Sequence, residues 1–147
     1  MSDSLNIRWA HVGLNCRDQE ATEAFYTRLF GFARARVVEA EGERVLFLRK
    51  DQVYLELFGT PGEPRTESTD DGPHSPGVTR HLAFQVDDVD AFLASADEDL
   101  PVSLGPLAFE EFIPGWKTVW VKDPDGVVIE VSQGYTDQSP EELKQFA

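Results

Sequence analysis

Two stretches of the chain decide the fold because they repeat one another. They are His11-Val12-Gly13-Leu14-Asn15-Cys16-Arg17-Asp18 and His81-Leu82-Ala83-Phe84-Gln85-Val86-Asp87-Asp88. Each begins with a histidine, continues with alternating apolar residues as a β-strand does, and ends on an aspartate that can cap a helix. Two later stretches also match, Tyr54-Leu55-Glu56-Leu57-Phe58-Gly59 and Ile129-Glu130-Val131-Ser132-Gln133-Gly134. Histidine and glutamate are 45 residues apart in the first half (11 to 56) and 49 in the second (81 to 130), which indicates an internally duplicated fold.

The first half predicts the element order β-α-β-β-β. A strand over 9–15 leads into a helix that Asp18 caps and that Gly31 closes. Three strand-like runs follow, over residues 34–40, 44–49 and 53–58.

The second half repeats this order less clearly. A strand over 80–86 and a helix from Asp88 precede a closing hairpin, whose strands are 116–122 and 127–132. Residues 104–114 are predicted to be irregular, and Ser139 is predicted to cap a short helix in the tail. The predicted fold class is therefore α+β, with two βαβββ modules that form an open cupped mixed sheet and carry their helices on the outer face.

The predicted organisation is a single domain over residues 1–147. Within it we expect a first module at 7–58, a connector at 59–78, a second module at 79–134 and a C-terminal tail at 135–147. The connector is rich in Pro, Gly, Ser and acidic residues, and a stretch of that length is typical of a functional loop or a flexible linker.

Composition excludes several classes of function. Asp and Glu number 27 against 13 Lys and Arg, a formal charge of −14, which argues against binding to nucleic acid or to an anionic membrane surface. The one cysteine, Cys16, leaves no intrachain disulfide and favours a cytoplasmic location. No apolar run reaches the roughly 20 residues that span a bilayer, and residues 1–4 lack the features of a signal peptide.

Four residues stand at matching positions of the repeat: His11, Glu56, His81 and Glu130. Side chains alternate between the faces of a strand, and each of the four is on the face opposite the continuous apolar one. They are therefore expected to share one concave sheet surface. Such nitrogen and oxygen ligands suit one divalent ion per site, Zn²⁺, Ni²⁺, Co²⁺, Mn²⁺ or Fe²⁺. The alternative is that they are ordinary polar side chains on a solvated sheet face.

At these residues the chain resembles the vicinal oxygen chelate superfamily, which includes glyoxalase I, fosfomycin-resistance enzymes, extradiol dioxygenases and bleomycin-binding proteins. The resemblance runs from about Arg8 to Gly134. Its carriers are the two histidine stretches quoted above, Ala24-Phe25-Tyr26 before Leu29-Phe30-Gly31-Phe32, and Lys122-Asp123-Pro124-Asp125-Gly126 before Ile129-Glu130. It implies paired βαβββ modules around a metal, often in a homodimer.

The ligand pattern is most similar to that of glyoxalase I. Its metal set of His, Glu, His and Glu matches His11, Glu56, His81 and Glu130. Fosfomycin enzymes and extradiol dioxygenases need only two His and one Glu, which would leave Glu56 surplus, and bleomycin-binding members usually lack the set. A basic cluster for a glutathione carboxylate is not evident, because the candidates are scattered along the sequence: Arg34, Arg36, Arg49, Arg80 and Lys117.

The resemblance implies a metal-dependent lyase or isomerase that acts on a small molecule. The metal would chelate vicinal oxygens of the substrate, while Glu130 moves a proton through an enediolate and Glu56 is the opposing acid/base or a structural ligand. The expected pocket walls are aromatic: Tyr54, Phe58, Phe112, Trp116 and Trp120. Two alternatives remain, a non-haem Fe²⁺ extradiol-type dioxygenase and a non-catalytic drug-binding module.

Overall fold

The α+β fold of two βαβββ modules is confirmed in the computed structural model, which describes residues 5–64 and 69–146. The chain divides into two compact units, Met1–Arg65 and Thr66–Ala147. Each unit contains one four-stranded sheet, in which a parallel strand pair adjoins two antiparallel ones. The internal duplication read from the sequence is therefore present in the topology.

The first unit follows the predicted element order. Its elements are β1 (Val12–Cys16), α1 (Gln19–Phe30), β2 (Ala33–Ala40), β3 (Glu43–Lys50) and β4 (Val53–Gly59). The sheet order is β1-β4-β3-β2, and β1 runs parallel to β4. The Asp18 carboxylate accepts hydrogen bonds from the first-turn amides of α1, and Gly31 ends the helix in the left-handed conformation at φ 77°. Both predicted caps are confirmed.

The sheet of the first unit has two unlike faces. Leu55 and Leu57 on β4 are at most 2% exposed, as are Leu46 and Leu48 on β3. Helix α1 packs on β4 and buries Thr22, Tyr26 and Phe30. Alternation then puts Glu56 on the other face. This is the face that the sequence predicts for it.

The second unit repeats the arrangement. Its elements are β5 (Leu82–Gln85), α2 (Val89–Ser95), β6 (Val102–Ala108), β7 (Lys117–Lys122) and β8 (Val128–Gln133), in the sheet order β5-β8-β7-β6. Asp88 caps α2 as predicted, and Ser139 forms a capping box at α3 (Pro140–Leu143), which a 3₁₀ turn (Lys144–Phe146) follows. The core of this unit consists of β-branched side chains that are fully buried: Val89, Val119, Val121, Val128, Ile129 and Val131.

Two predictions about strands were wrong. Strand β6 (Val102–Ala108) occupies part of the stretch that was predicted to be irregular over 104–114. The apolar–polar alternation of β6 is not visible in the sequence, because the strand contains Gly105 and Pro106 and its register against β7 shifts twice. The predicted strands at 9–15 and 80–86 are shorter than expected, so that His11 and His81 lie just before β1 and β5. Among the described residues no helix is long and apolar enough to cross a membrane.

A loop before β5 is held closely against its own unit. Gly72 is buried at φ +116°, and a Cβ atom there would overlap the carbonyl oxygen of Arg80. The Ser103 hydroxyl donates to the Asp70 carbonyl oxygen over 2.6 Å. Only glycine fits this position, because both the backbone conformation and the space exclude a side chain.

Gly72→Ala is therefore expected to destabilise the protein more than Gly62→Ala does. Gly62 has nearly the same φ, +115°, but a Cβ there would meet no atom within 4 Å. Both variants carry the backbone strain, and the additional overlap should lower the free energy of unfolding of Gly72→Ala by about 2 kcal/mol more. Urea titration followed by circular dichroism measures the free energy of unfolding of each variant. An equal loss of stability in Gly72→Ala and Gly62→Ala would contradict the close packing of this loop.

Candidate metal centre

The first unit brings His11 and Glu56 together. Their Nε2 and Oε1 atoms are 2.9 Å apart, and the side chains are 39% and 19% exposed. Glu56 stands opposite Gly13 on β1 and opposite Phe47 on β3. The Phe47 ring meets the His11 imidazole edge-on, with centroids 5.7 Å apart. One imidazole nitrogen and one carboxylate oxygen thus face each other near the start of β1.

The second unit brings His81 and Glu130 together in the same way. Their Nε2 and Oε1 atoms are 3.2 Å apart, and both side chains are 22% exposed. Glu130 stands opposite Ala83 on β5 and opposite Trp120 on β7. In both units, therefore, the glutamate pairs with the residue two positions after the histidine. The same register of the parallel strands therefore produces both His–Glu pairs.

The His81 ring is oriented by the loop before β5. Its Nδ1 atom lies 2.7 Å from the carbonyl oxygen of Asp71, which can only accept, so Nδ1 carries a proton. In the neutral ring Nε2 is then an acceptor, and it faces the carboxylate of Glu130. Two acceptors at this distance repel unless a proton or a metal ion lies between them. A carbonyl behind the imidazole is the usual support of a metal-ligating histidine.

The carboxylate of Asp71 ties the same loop together. It lies 2.6 Å from His74 Nε2 and 3.3 Å from an Arg80 nitrogen, and the hydrogen bond with His74 lowers the pKa of Asp71. His74 is 58% exposed in its side chain and binds this carboxylate. The sequence gives no signal for the Asp71 contact, because a backbone carbonyl rather than a side chain orients His81.

The expected pocket aromatics lie in different surroundings. Tyr54 is half-buried beside Arg49, whereas Phe58 is 37% and Phe112 69% exposed. Trp116, half-buried, donates to the Ser132 hydroxyl over 3.1 Å. Trp120 is 6% exposed, and its indole nitrogen is buried with no hydrogen-bond partner in the described part of the chain.

Three of the basic residues that are scattered along the sequence lie together in the structure. Arg34, Arg36 and Arg49 line one concavity of about 540 Å³ in the first unit, together with Phe47 and Tyr54. Arg34 and Arg36 are both on β2, and the antiparallel pairing of β2 with β3 brings Arg49 beside them. Arg80 and Lys117 belong to the second unit, where they form ion pairs with Asp71 and Asp90.

The candidate ligands occur as pairs. Over residues 5–64 and 69–146, no group of three or more His, Cys, Asp or Glu side chains could hold a metal ion. Each unit by itself therefore offers one nitrogen and one carboxylate donor. Both pairs have the residue types that first-row divalent ions prefer.

Known proteins are similar to this chain in sequence. The sequence model of the Glyoxalase/Bleomycin resistance protein/Dioxygenase superfamily matches residues 8–131. The uncharacterized protein YaeR of Escherichia coli K12 is 29% identical over 131 residues, which is 82% of this chain and 92% of YaeR.

Solved structures extend the likeness to three dimensions. The fosfomycin resistance protein FosX of Listeria monocytogenes, in complex with Mn(II) and sulfate, has a TM-score of 0.64 at 16% identity and covers 87% of this chain and 93% of its own. TnmS3, an antibiotic binding protein from Streptomyces sp. CB03234, has a TM-score of 0.61 at 26% identity. The matched region is 88% of this chain and 98% of the TnmS3 chain. Because the superfamily match spans both modules and includes all four paired residues, the chain belongs to the Glyoxalase/Bleomycin resistance protein/Dioxygenase superfamily, also called the vicinal oxygen chelate superfamily.

Proposed function

We propose that this protein is a divalent-metal-dependent lyase or isomerase of the glyoxalase I type. The observation that supports it best is the His–Glu pair that each unit places at the same register of its parallel strands. One pair from each unit, within one chain or from two, supplies the four proposed ligands: His11, Glu56, His81 and Glu130.

The donor set fits a divalent ion chemically. Two imidazoles and two carboxylates suit Zn²⁺, Ni²⁺, Co²⁺, Mn²⁺ and Fe²⁺ alike. The hydrogen bond from His81 Nδ1 to Asp71 leaves the Nε2 lone pair free for the ion. A bound ion would supply Lewis-acid stabilisation of the negative charge that develops on vicinal substrate oxygens. Mn²⁺ should be included in the ions tested, since the structurally similar FosX was crystallised with it.

The two glutamates would move the proton. Glu130 removes a proton from the carbon beside the substrate carbonyl, and the electron pair of that C–H bond enters the enediolate. Glu130 then returns the proton to the neighbouring carbon, while Glu56 is either the opposing acid/base or a ligand only. Partial burial of both carboxylates limits competing water at the reacting carbon. We propose a small-molecule substrate, a homodimer and a cytoplasmic location with this activity.

Metal content is the first test. Protein purified without chelators should hold about one divalent ion per four-ligand site, and His81→Ala should lose it because one of the imidazole donors is missing. Elemental analysis by mass spectrometry measures the stoichiometry and names the ion.

His74→Ala is the matched control for that measurement. It removes an imidazole that belongs to neither His–Glu pair. The ion should remain, because His81 is held by the backbone carbonyl of Asp71 and Arg80 still binds the Asp71 carboxylate. Equal ion content in native protein and His81→Ala, or no uptake of any ion on titration, would overturn the metal site.

The role of Glu130 is tested separately from ion binding. Glu130→Gln should reduce proton exchange at least about 100-fold, since a positioned general base typically contributes 10²–10⁴-fold, while part of the ion remains bound. The readout is NMR detection of deuterium entering the carbon beside the carbonyl of small α-hydroxycarbonyl compounds in D₂O. Glu98→Gln, an exposed glutamate of the same unit, is the matched control. Unchanged exchange in Glu130→Gln would exclude Glu130 as the base.

A ligand-binding module is the second candidate, favoured by the 26% identity to the antibiotic binding protein TnmS3. It predicts ligand binding without turnover and no requirement for an ion. The third candidate, an Fe²⁺ dioxygenase, predicts oxygen uptake in the presence of a catechol. Neither a lyase or isomerase nor a ligand-binding module would take up oxygen.

A further inference from the structure

We propose that the concavity of the first unit binds an oxyanion, a carboxylate or a phosphate or phosphonate group, carried by the substrate. Its lining residues come from β2, β3 and β4: Ala33, Arg34, Ala35, Arg36, Phe47, Arg49 and Tyr54. The volume is about 540 Å³, which lies within the range typical of small-molecule sites. The substrate would therefore be an organic acid with an apolar body.

Two of the three guanidinium groups are available to a ligand. Arg34 is committed, because it makes two hydrogen bonds of 2.6 and 2.8 Å to the carboxylate of Glu23 and lowers the pKa of that group. The Arg36 guanidinium makes no hydrogen bond or ion pair with any residue at 5–64 or 69–146. Arg49 donates its Nε–H to the Asp51 carbonyl oxygen over 2.7 Å, and its two terminal NH₂ groups make no hydrogen bond within the described part of the chain.

The local charge runs against that of the whole chain. With a formal charge of −14, the protein repels anions at long range. The guanidinium groups of Arg36 and Arg49 therefore make this concavity locally positive on a chain whose net charge is negative. A planar guanidinium matches the two oxygens of a carboxylate or a phosphoryl group with a pair of parallel hydrogen bonds. This chemistry defines the ligand class.

Aromatic side chains form the rest of the site. The guanidinium carbon of Arg49 lies 5.5 Å from the centre of the Tyr54 ring, a cation–π arrangement that holds Arg49 beside that ring. Phe47 also lines the concavity, and its ring meets the His11 imidazole. An apolar substrate body can thus contact Phe47 and Tyr54 while its oxyanion binds Arg36 and Arg49.

The concavity lies in register with a proposed metal ligand. Arg36 pairs with Phe47, and Phe47 pairs with Glu56, so that the three occupy one row across β2, β3 and β4. Adjacent strands are about 4.8 Å apart, which puts the backbone of Arg36 roughly 10 Å from that of Glu56. A substrate of a few bonds in length can bridge that distance. The assignment of the oxyanion to the substrate rests on the proposed function, whereas anion binding by the concavity does not.

Anion binding is tested on the full chain after removal of metal with a chelator. Phenylacetate and phenylphosphonate are titrated by calorimetry and by NMR, with benzyl alcohol as the neutral probe. Both arginine variants, Arg36→Gln and Arg49→Gln, should weaken anion affinity about tenfold or more, since a charge-assisted contact of this kind is lost. Benzyl alcohol should bind these variants as it binds the native protein. The anion affinity of Arg36→Lys should lie between those of the native protein and Arg36→Gln, because lysine keeps the positive charge but cannot form the pair of parallel hydrogen bonds.

Arg28→Gln is the matched control. It makes the same change of charge at an exposed arginine of α1, and anion affinity should not change. A tighter complex with phenylphosphonate than with phenylacetate would identify a phosphoryl-bearing substrate, and the reverse a carboxylic acid.

Two results would overturn the anion site: no anion binding to the native chain, or equal binding to native protein and the Arg36→Gln/Arg49→Gln double variant with circular dichroism unchanged. Failure of the proposed function is distinguishable, because it would leave anion binding intact in a protein that takes up no metal.

Discussion

Both units depend on the pairing of the first strand with the last in parallel register. Parallel strands need a long crossover connection, and in each unit an α-helix and two further strands provide it. The register puts Glu56 opposite Gly13 and Glu130 opposite Ala83. A slip of one residue would move each glutamate to the helix-covered face. The His–Glu pairs therefore depend on strand register more than on any local interaction.

The buried faces hold that register. In the first unit, α1 packs on β4 and the leucines of β3 and β4 are buried, while the opposite face of β4 carries Tyr54, Glu56 and Phe58. A sheet with one covered face has a definite inside, so its alternation is readable in the sequence. This explains why the positions of Glu56 and Glu130 could be predicted from strand parity, and why Asp18, Gly31 and Asp88 identified the helix ends correctly.

Features that depend on distant contacts could not be predicted. Strand β6 contains Gly105 and Pro106 and pairs irregularly, so that its sequence reads as a loop. The Asp71 carbonyl that orients His81 is a backbone atom, which carries no residue-type signal. Arg36 and Arg49 share a concavity only because β2 and β3 pair antiparallel. The sequence predicted candidate site residues, but the contacts around them required the structure.

We propose that one histidine from each unit, within one chain or from two, binds the same divalent ion. X-ray absorption spectroscopy on metal-loaded protein counts the imidazoles around the ion directly, because imidazole rings give characteristic outer-shell scattering. We expect two imidazoles per ion in the native protein. The variants His11→Ala and His81→Ala, each loaded under excess metal, should show one imidazole per bound ion. An ion with fewer than two imidazoles in the native protein, or a spectrum unchanged in both variants, would contradict it.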